Sequence, residues 1–316
     1  MNLMSTIHGS NMEHYFPKGW DLAKIDDCCS HDAKEVFDRQ QFWNEKFEPV
    51  IADNVTELNV MMGHEIARTI KDAKDAGKKL AIIFPVGPMG MYKWTVYFLQ
   101  SWNVDCKHVW GFNMDEWADS EGNTLEAADP GSFQNSMNTA FYGPLGDLGV
   151  PENQRNFATR ENLPTYAEKI ASLKAEGALL ATIFGIGRDF HIAFWEPQFA
   201  EEFTTDEEWK KQTHRLGANL HPMTVEQNAL HSFKSRTTLV PAFANTIGPG
   251  LFLQSDKIIG GCDGAYERGL MWQGMSLWTA LRYGPSRWVP ASYMPTMPGK
   301  LFFLKELAGP LLADVN

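Results

Sequence analysis

Between Gly185 and Pro197 the chain reads Gly-Ile-Gly-Arg-Asp-Phe-His-Ile-Ala-Phe-Trp-Glu-Pro, which puts Asp189 and Glu196 on either side of His191. A carboxylate held in a partly dry pocket serves as a general base, and an imidazole beside it can hand a proton to an oxygen. A second acidic pair, Asp115 and Glu116, follows the apolar run Lys107-His-Val-Trp-Gly-Phe-Asn113. Acid and base on one rim are what a sugar isomerisation requires. One group protonates the ring oxygen to open the pyranose, and another moves a proton between C2 and C1. On its own, the Gly185–Pro197 stretch reads equally well as a surface loop with two solvated carboxylates. The Asp115-Glu116 pair tips the reading toward chemistry.

These groups need elements that bring them to one edge. Ala178-Leu-Leu-Ala-Thr-Ile-Phe184 predicts a buried strand ending at Gly185 and Gly187, and residues 107–113 predict another ending at Asp115. In open α/β sheets, ligands gather at the carboxyl ends of such strands. Leu58, Met62, Ile66 and Ile70 recur at helical spacing and should stop near Gly77; Leu80–Phe84 follows as a strand, residues 85–90 as a loop and 91–102 as a helix. A long polar loop is expected from Ala118 through Pro130, a helix around Tyr166, Ile170 and Leu173, a strand or turn at 240–250, a strand at 257–260 and a helix from Gly264 to Arg282. Strands alternating with helices predict an α/β fold with a mainly parallel sheet and helices on both faces. Residues 1–52 show no clear period and read as an N-terminal extension, leaving 53–316 as a single α/β domain.

With 44% apolar and 21% charged residues, the composition is that of a globular protein. A net charge of −11 argues against nucleic acid, since phosphate contacts need clustered Lys and Arg. No run approaches the roughly 20 apolar residues of a membrane helix, and Met1–Ser10 lacks the basic-then-apolar pattern of a signal peptide. Cys28, Cys29, Cys106 and Cys262 show neither zinc spacing nor a disulfide framework, so a reducing, cytoplasmic setting is expected. Of the histidines, His108 lies in an apolar strand and is expected in the core, and the others form no metal set.

Taken together, Lys107–Trp117, Asp189–Pro197 and Val240-Pro-Ala-Phe-Ala-Asn-Thr-Ile-Gly-Pro-Gly250 resemble the signature segments of the glucosamine-6-phosphate deaminases (isomerases), with weaker matches at Val150–Asn153 and Tyr166–Ile170. The matches span roughly residues 55 to 305 in the family's order. The resemblance implies a Rossmann-like fold of the deaminase/isomerase type, without a dinucleotide. It implies that Asp115 shuttles the proton between C2 and C1, that His191 protonates the ring oxygen, and that Asp189 and Glu196 orient and tune it. Expected substrate-binding positions are Val86, Gly87, Pro88, Met89, Glu116, Gly185, Ile186, Gly187, Arg188, His221, Tyr266 and Arg268. No metal or organic cofactor is expected. The implied partner is a small amino sugar or sugar phosphate, and a homo-oligomer is expected. A 6-phosphogluconolactonase-like hydrolase and a non-catalytic sugar-sensing protein are the alternatives.

The departures from the family pattern concern the phosphate. Pro85-Val-Gly-Pro-Met-Gly90 stands where a hydroxyl-rich loop is usual, and Pro88 removes an N–H donor. His221 replaces an arginine, and Tyr266 falls nearest an expected lysine, with Arg268 two residues on. Beside the histidine, Phe190 replaces the usual glycine and Trp195 the usual asparagine. Each charge-assisted phosphate contact contributes ~1.5–3 kcal/mol. The departures therefore imply an unphosphorylated or differently substituted amino sugar, or else compensation by an arginine such as Arg188, Arg215, Arg236 or Arg268.

Overall fold

A computed structural model describes residues 3–265 and 271–312. Ten strands form in chain order: β1 (Phe47–Ala52), β2 (Leu80–Phe84), β3 (Val109–Asn113), β4 (Asp115–Ala118), β5 (Arg155–Asn156), β6 (Leu179–Gly185), β7 (His214–Asn219), β8 (Phe243–Ile247), β9 (Lys257–Cys262) and β10 (Gly299–Leu304). Seven of them make one sheet in the order β1-β10-β9-β6-β2-β3-β5, and every pairing in it is parallel. The chain winds outward from β2 through β3 to β5, then returns to the other side of β2 and winds through β6, β9 and β10. The order reverses between β2 and β6, where the carboxyl ends of neighbouring strands diverge and leave a crevice.

Sequence explains the central strands directly. Leu80-Ala-Ile-Ile-Phe84 is buried at every position, as a parallel strand covered on both faces must be. Helix Val55–Asp75 begins at Asn54, whose side chain accepts from Glu57 N at 3.0 Å, and buries Leu58, Met62, Ile66 and Ile70. Helix Gly90–Ser101 packs against it and leaves its N-terminus at the loop that follows β2. The expected parallel sheet is thus present, with the predicted strands within a few residues of their expected bounds.

Two regions differ from expectation. A second sheet, β4-β8-β7, is antiparallel and stands beside the first. β4 follows β3 after a single residue, so the predicted strand end at Asp115 is really a crossing from one sheet to the other. The helix expected from Gly264 starts only at Gly274. Gly264 O accepts from Trp272 N at 3.0 Å, and Gly264 N donates to Gln273 Oε1 at 2.8 Å. This closure turns the chain back on itself and delays the helix; Tyr266 and Arg268 fall outside the described residues.

Residues 1–52, expected as an extension, contribute β1, the edge strand paired in register with β10 from Phe47↔Gly299 to Ala52↔Leu304. Trp20 donates from Nε1 to Trp288 O at 2.8 Å, and Trp43 to Leu281 O at 2.9 Å. Both rings are buried in the main core. Each such side chain removes 150–250 Å² from water, roughly 4–6 kcal/mol of gross hydrophobic gain before entropic costs. The absence of a clear period here reflects short helices and turns that follow the surface of the sheet domain.

Candidate active site

At the switch between β2 and β6 lies a cavity of about 500 Å³. Its floor is made by the strand ends and the loops after them: Pro85–Met89 after β2, Gly185–Gly187 at the end of β6, and Gly261 and Asp263 at the end of β9. Asp115 and His191 both line it, so the two segments singled out in the sequence do converge.

His191 is held from behind. Its Nδ1 donates to Asp189 Oδ1 at 2.6 Å, with Glu196 Oε2 at 3.5 Å. The Thr224 hydroxyl lies 3.0 Å from the same nitrogen, 3.1 Å from Glu196 Oε2 and 3.3 Å from Asp189 Oδ2. All four side chains are buried. Burial opposes the charged imidazolium, but the charges of Asp189 and Glu196 outweigh it, and the pKa of His191 is pushed up to about 10. Burial likewise opposes the Asp189 carboxylate, yet His191 holds its pKa below the usual range, whereas burial and the nearby Asp189 raise that of Glu196. The pair therefore divides one negative charge and one proton between neighbouring carboxyls. His191, Asp189 and Glu196 also offer ligand atoms within 4.8 Å of one another, a spacing a metal ion could use; here those atoms are already bonded to each other through protons.

With Nδ1 engaged, Nε2 is the other ring nitrogen of a residue that lines the cavity. A Cβ built on Gly187 would meet Nε2 at 2.1 Å, so the ring lies directly over a residue that has to be glycine. The loop is tight: Gly187 N donates to His191 O at 3.0 Å and Phe190 N to Gly187 O at 2.9 Å. It carries Phe190 at φ 75° and Ala193 at φ 56°, both left-handed and each costing roughly 1–2 kcal/mol for an L-residue. At Phe190, the position where the resembling family uses glycine, the strain is offset by packing. The ring sits 4.6 Å from that of Trp20 and its carbonyl accepts from Ala291 N at 2.9 Å.

Asp115 opens β4. Burial, then the neighbouring Glu116, push its pKa up to about 8. A carboxyl that gains and loses its proton near neutrality suits a shuttle. Strand alternation turns Glu116 the other way. It accepts from the backbone N–H of Phe133 and Gln134 at 2.9 Å and of Trp117 at 3.0 Å, anchoring the start of helix Phe133–Met137. Glu116 is therefore a buried support and lies outside the cavity lining.

Val86, Gly87, Pro88, Met89, Gly185, Ile186 and Gly187 do line the cavity. Arg188 and His221 do not. Arg188 N donates to Gln227 Oε1 at 2.6 Å. His221 lies behind the acids, 3.9 Å from Asp189 Oδ2, and its Nδ1 accepts from Met223 N as the cap of helix Pro222–Ser232. It faces a separate cavity of about 610 Å³ beneath residues 7–22, against the ring of Tyr15. That larger cavity contains neither Asp115 nor His191. Arg215 is committed to Glu202, with Nη1 at 2.7 Å, and stacks over Phe199.

Sequence reasoning missed Thr224, Gln227, Asn228 and His231, all from helix Pro222–Ser232, and an aromatic wall of Trp117, Phe133, Phe194 and Phe233. It also missed Asp263, although a carboxylate directly after a buried strand at the sheet's ligand edge was a readable signal.

The arrangement places a carboxyl group, Asp115, and an imidazole, His191, in the switch crevice of a parallel α/β sheet. The chain matches no protein-family profile. It is similar to the glucosamine-6-phosphate deaminase of Haemophilus influenzae Rd, 26% identical over 213 residues covering 64% of this chain and 70% of that protein. The corresponding Caenorhabditis elegans protein is 26% identical over 212 residues, 66% of this chain and 73% of its own length. In structure it resembles a monomeric glucosamine-6-phosphate deaminase of the NagB superfamily, with a TM-score of 0.66 and 20% identity over 83% of this chain and 99% of that one. A 6-phosphogluconolactonase from Trypanosoma cruzi shares the fold at a TM-score of 0.58 and 16% identity, covering 87% and 100%. The resemblance read from the signature segments is borne out: the chain is a sequence relative of glucosamine-6-phosphate deaminases on the fold they share with the lactonases.

Proposed function

We propose that the chain converts an amino aldose to a ketose with release of ammonia, using His191 and Asp115 as acid and base. The observation that carries this is their convergence on one cavity, with His191 Nδ1 locked to Asp189 and Nε2 left for the substrate. The imidazolium gives its Nε2 proton to the ring oxygen and takes up the C1 hydroxyl proton as the sugar opens to the aldehyde. Ionised Asp115 removes the proton on C2, the electrons move to make an enol between C1 and C2, and His191 returns its proton to O1. Asp115 returns the proton to C1. The resulting C2 imine takes up water and expels ammonia, so amino aldose and water become ketose and ammonia.

The sequence relatives, named as deaminases, support this reading over lactone hydrolysis, for which only the fold speaks. The four unpaired cysteines support a reducing compartment, and no helix among the described residues is long and apolar enough to cross a membrane. Self-association, which the family resemblance implies, belongs to the same proposal; a mass of 35.7 kDa by light scattering would remove it.

The test is ammonia release, with solvent deuterium incorporation at C1, from a panel of 2-amino-2-deoxyhexoses and their phosphates. Asp115→Asn should abolish both signals and leave substrate binding in place. Ammonia release that survives Asp115→Asn would refute the assigned base. Lactone hydrolysis without ammonia would replace the reading with the hydrolase.

A further inference from the structure

The ionisable groups lining the cavity, among the described residues, are Asp115, Asp263, His191 and His231; neither lysine nor arginine is among them. His231 is shifted down by loss of solvent and by the charge of His191, so it is neutral at pH 7. Among the described residues the one cation lining the cavity is His191, already balanced by the Asp189 carboxylate. Burial raises the pKa of Asp263 as it does that of Asp115, so what a phosphate dianion meets among these described lining residues is the lack of a free cation, in a chain of net charge −11.

The same cavity suits a neutral ring well. Trp117, Phe133, Phe194 and Phe233 offer flat apolar faces to the C–H surface of a pyranose. Asp263 directly follows β9 and lines the cavity together with the Val86–Met89 loop. A carboxyl group accepts from a hydroxyl and, when protonated, donates to it, so Asp263 suits a free hydroxyl. Backbone N–H groups at the start of helix Gly90–Ser101 serve a hydroxyl oxygen as readily as a phosphate oxygen, so they do not separate the two.

We infer that the substrate is an amino sugar with a free hydroxyl where the relatives' named substrate carries its 6-phosphate, recognised through Asp263. This rests on the deaminase reading above and narrows it. Arg268 lies outside the described residues and enters as an arm of the test.

The experiment compares kcat/KM for glucosamine and glucosamine 6-phosphate with the full chain. In parallel, 2-amino-2-deoxyglucitol and its 6-phosphate are titrated into Asp115→Asn by calorimetry. A preference of about tenfold or more for the unphosphorylated sugar is expected, because a buried phosphate without partners forfeits its hydration. Asp263→Lys should reverse the order, and Arg268→Gln should leave it unchanged. Asp115-dependent turnover that favours the phosphate, or that prefers the free sugar by less than this, overturns the inference and leaves the deaminase reading standing. Absence of turnover removes the deaminase reading, and calorimetry then decides. Tighter binding of the free glucitol sustains the inference; tighter binding of its phosphate, or no binding of either, ends it.

Discussion

Gly187→Ala should silence the enzyme while leaving the fold intact. The new Cβ would lie 2.1 Å from His191 Nε2, 2.2 Å from Cε1 and 2.4 Å from Cδ2. Carbon contacts settle near 3.5 Å, so the ring would have to retreat by about 1.4 Å. Ring movements of that size carry Nδ1 off its 2.6 Å bond to Asp189 Oδ1 and move Nε2 away from the substrate oxygen. General acid catalysis contributes about 10²–10⁴-fold, and kcat should fall by that factor, about 3–5 kcal/mol in the barrier. Gly187 is not among the residues with positive φ, so alanine adds no backbone strain there. Ammonia release under saturating substrate gives kcat, and thermal melting reports the fold. The alkaline limb of the pH profile should disappear with His191's role, while the acidic limb set by Asp115 should persist. A variant that keeps more than about a tenth of wild-type kcat would refute the assignment of Nε2 as the proton donor.

In the wild type, kcat/KM should rise about tenfold per pH unit up to about 8, because Asp115 acts ionised and its pKa is raised to that value, and should decline above about 10, where His191 loses its proton. Stability should decrease over the same range: both groups hold a proton in the folded state that the unfolded chain releases near pH 4 and 6.5, so rising pH favours unfolding until each folded pKa is passed. Thr224→Val removes the hydroxyl shared by His191, Asp189 and Glu196, and should cost about 1–3 kcal/mol in denaturant melts and lower kcat more than it raises KM. Phe190→Gly relieves roughly 1–2 kcal/mol of left-handed strain but forfeits about 3–5 kcal/mol of buried aromatic packing against Trp20, so chemical denaturation should show a net loss. A stabilised Phe190→Gly would mean the ring is not what holds that turn.

The parts of the site carried by strand ends were legible in the sequence. Leu80–Phe84 and Leu179–Gly185 announce themselves as apolar runs closed by Gly and Pro, and the loops just beyond them, with His191, line the crevice. Asp115, Asp189, His191 and Glu196 could be found because their chemistry and their place on the sheet agree. Glu116 could not be separated from Asp115 by composition, since one step along a strand decides which face a side chain takes. Two of its three backbone contacts depend on a helix start 17 residues away. Thr224 and Gln227 were hidden for a similar reason. They sit inside a helix whose buried face is polar, so it shows little of the apolar periodicity that marks other helices.

The N-terminal residues show how far a local reading can fall short. Nothing in His14-Tyr-Phe-Pro or in Trp20 marks them as partners of the Gly185–Pro197 loop. Yet the Trp20 ring packs against Phe190, one residue from His191, and Tyr15 packs edge-on to His221, which backs Asp189. A phenylalanine in a left-handed turn is tolerable only if something large fills the space beside it. Phe190 and Trp20 therefore make sense as a pair, and each is anomalous alone. A change that loosens residues 14–20 should reach the acid–base pair through these two aromatic contacts, although none of those residues touches the cavity in which the chemistry is proposed to occur.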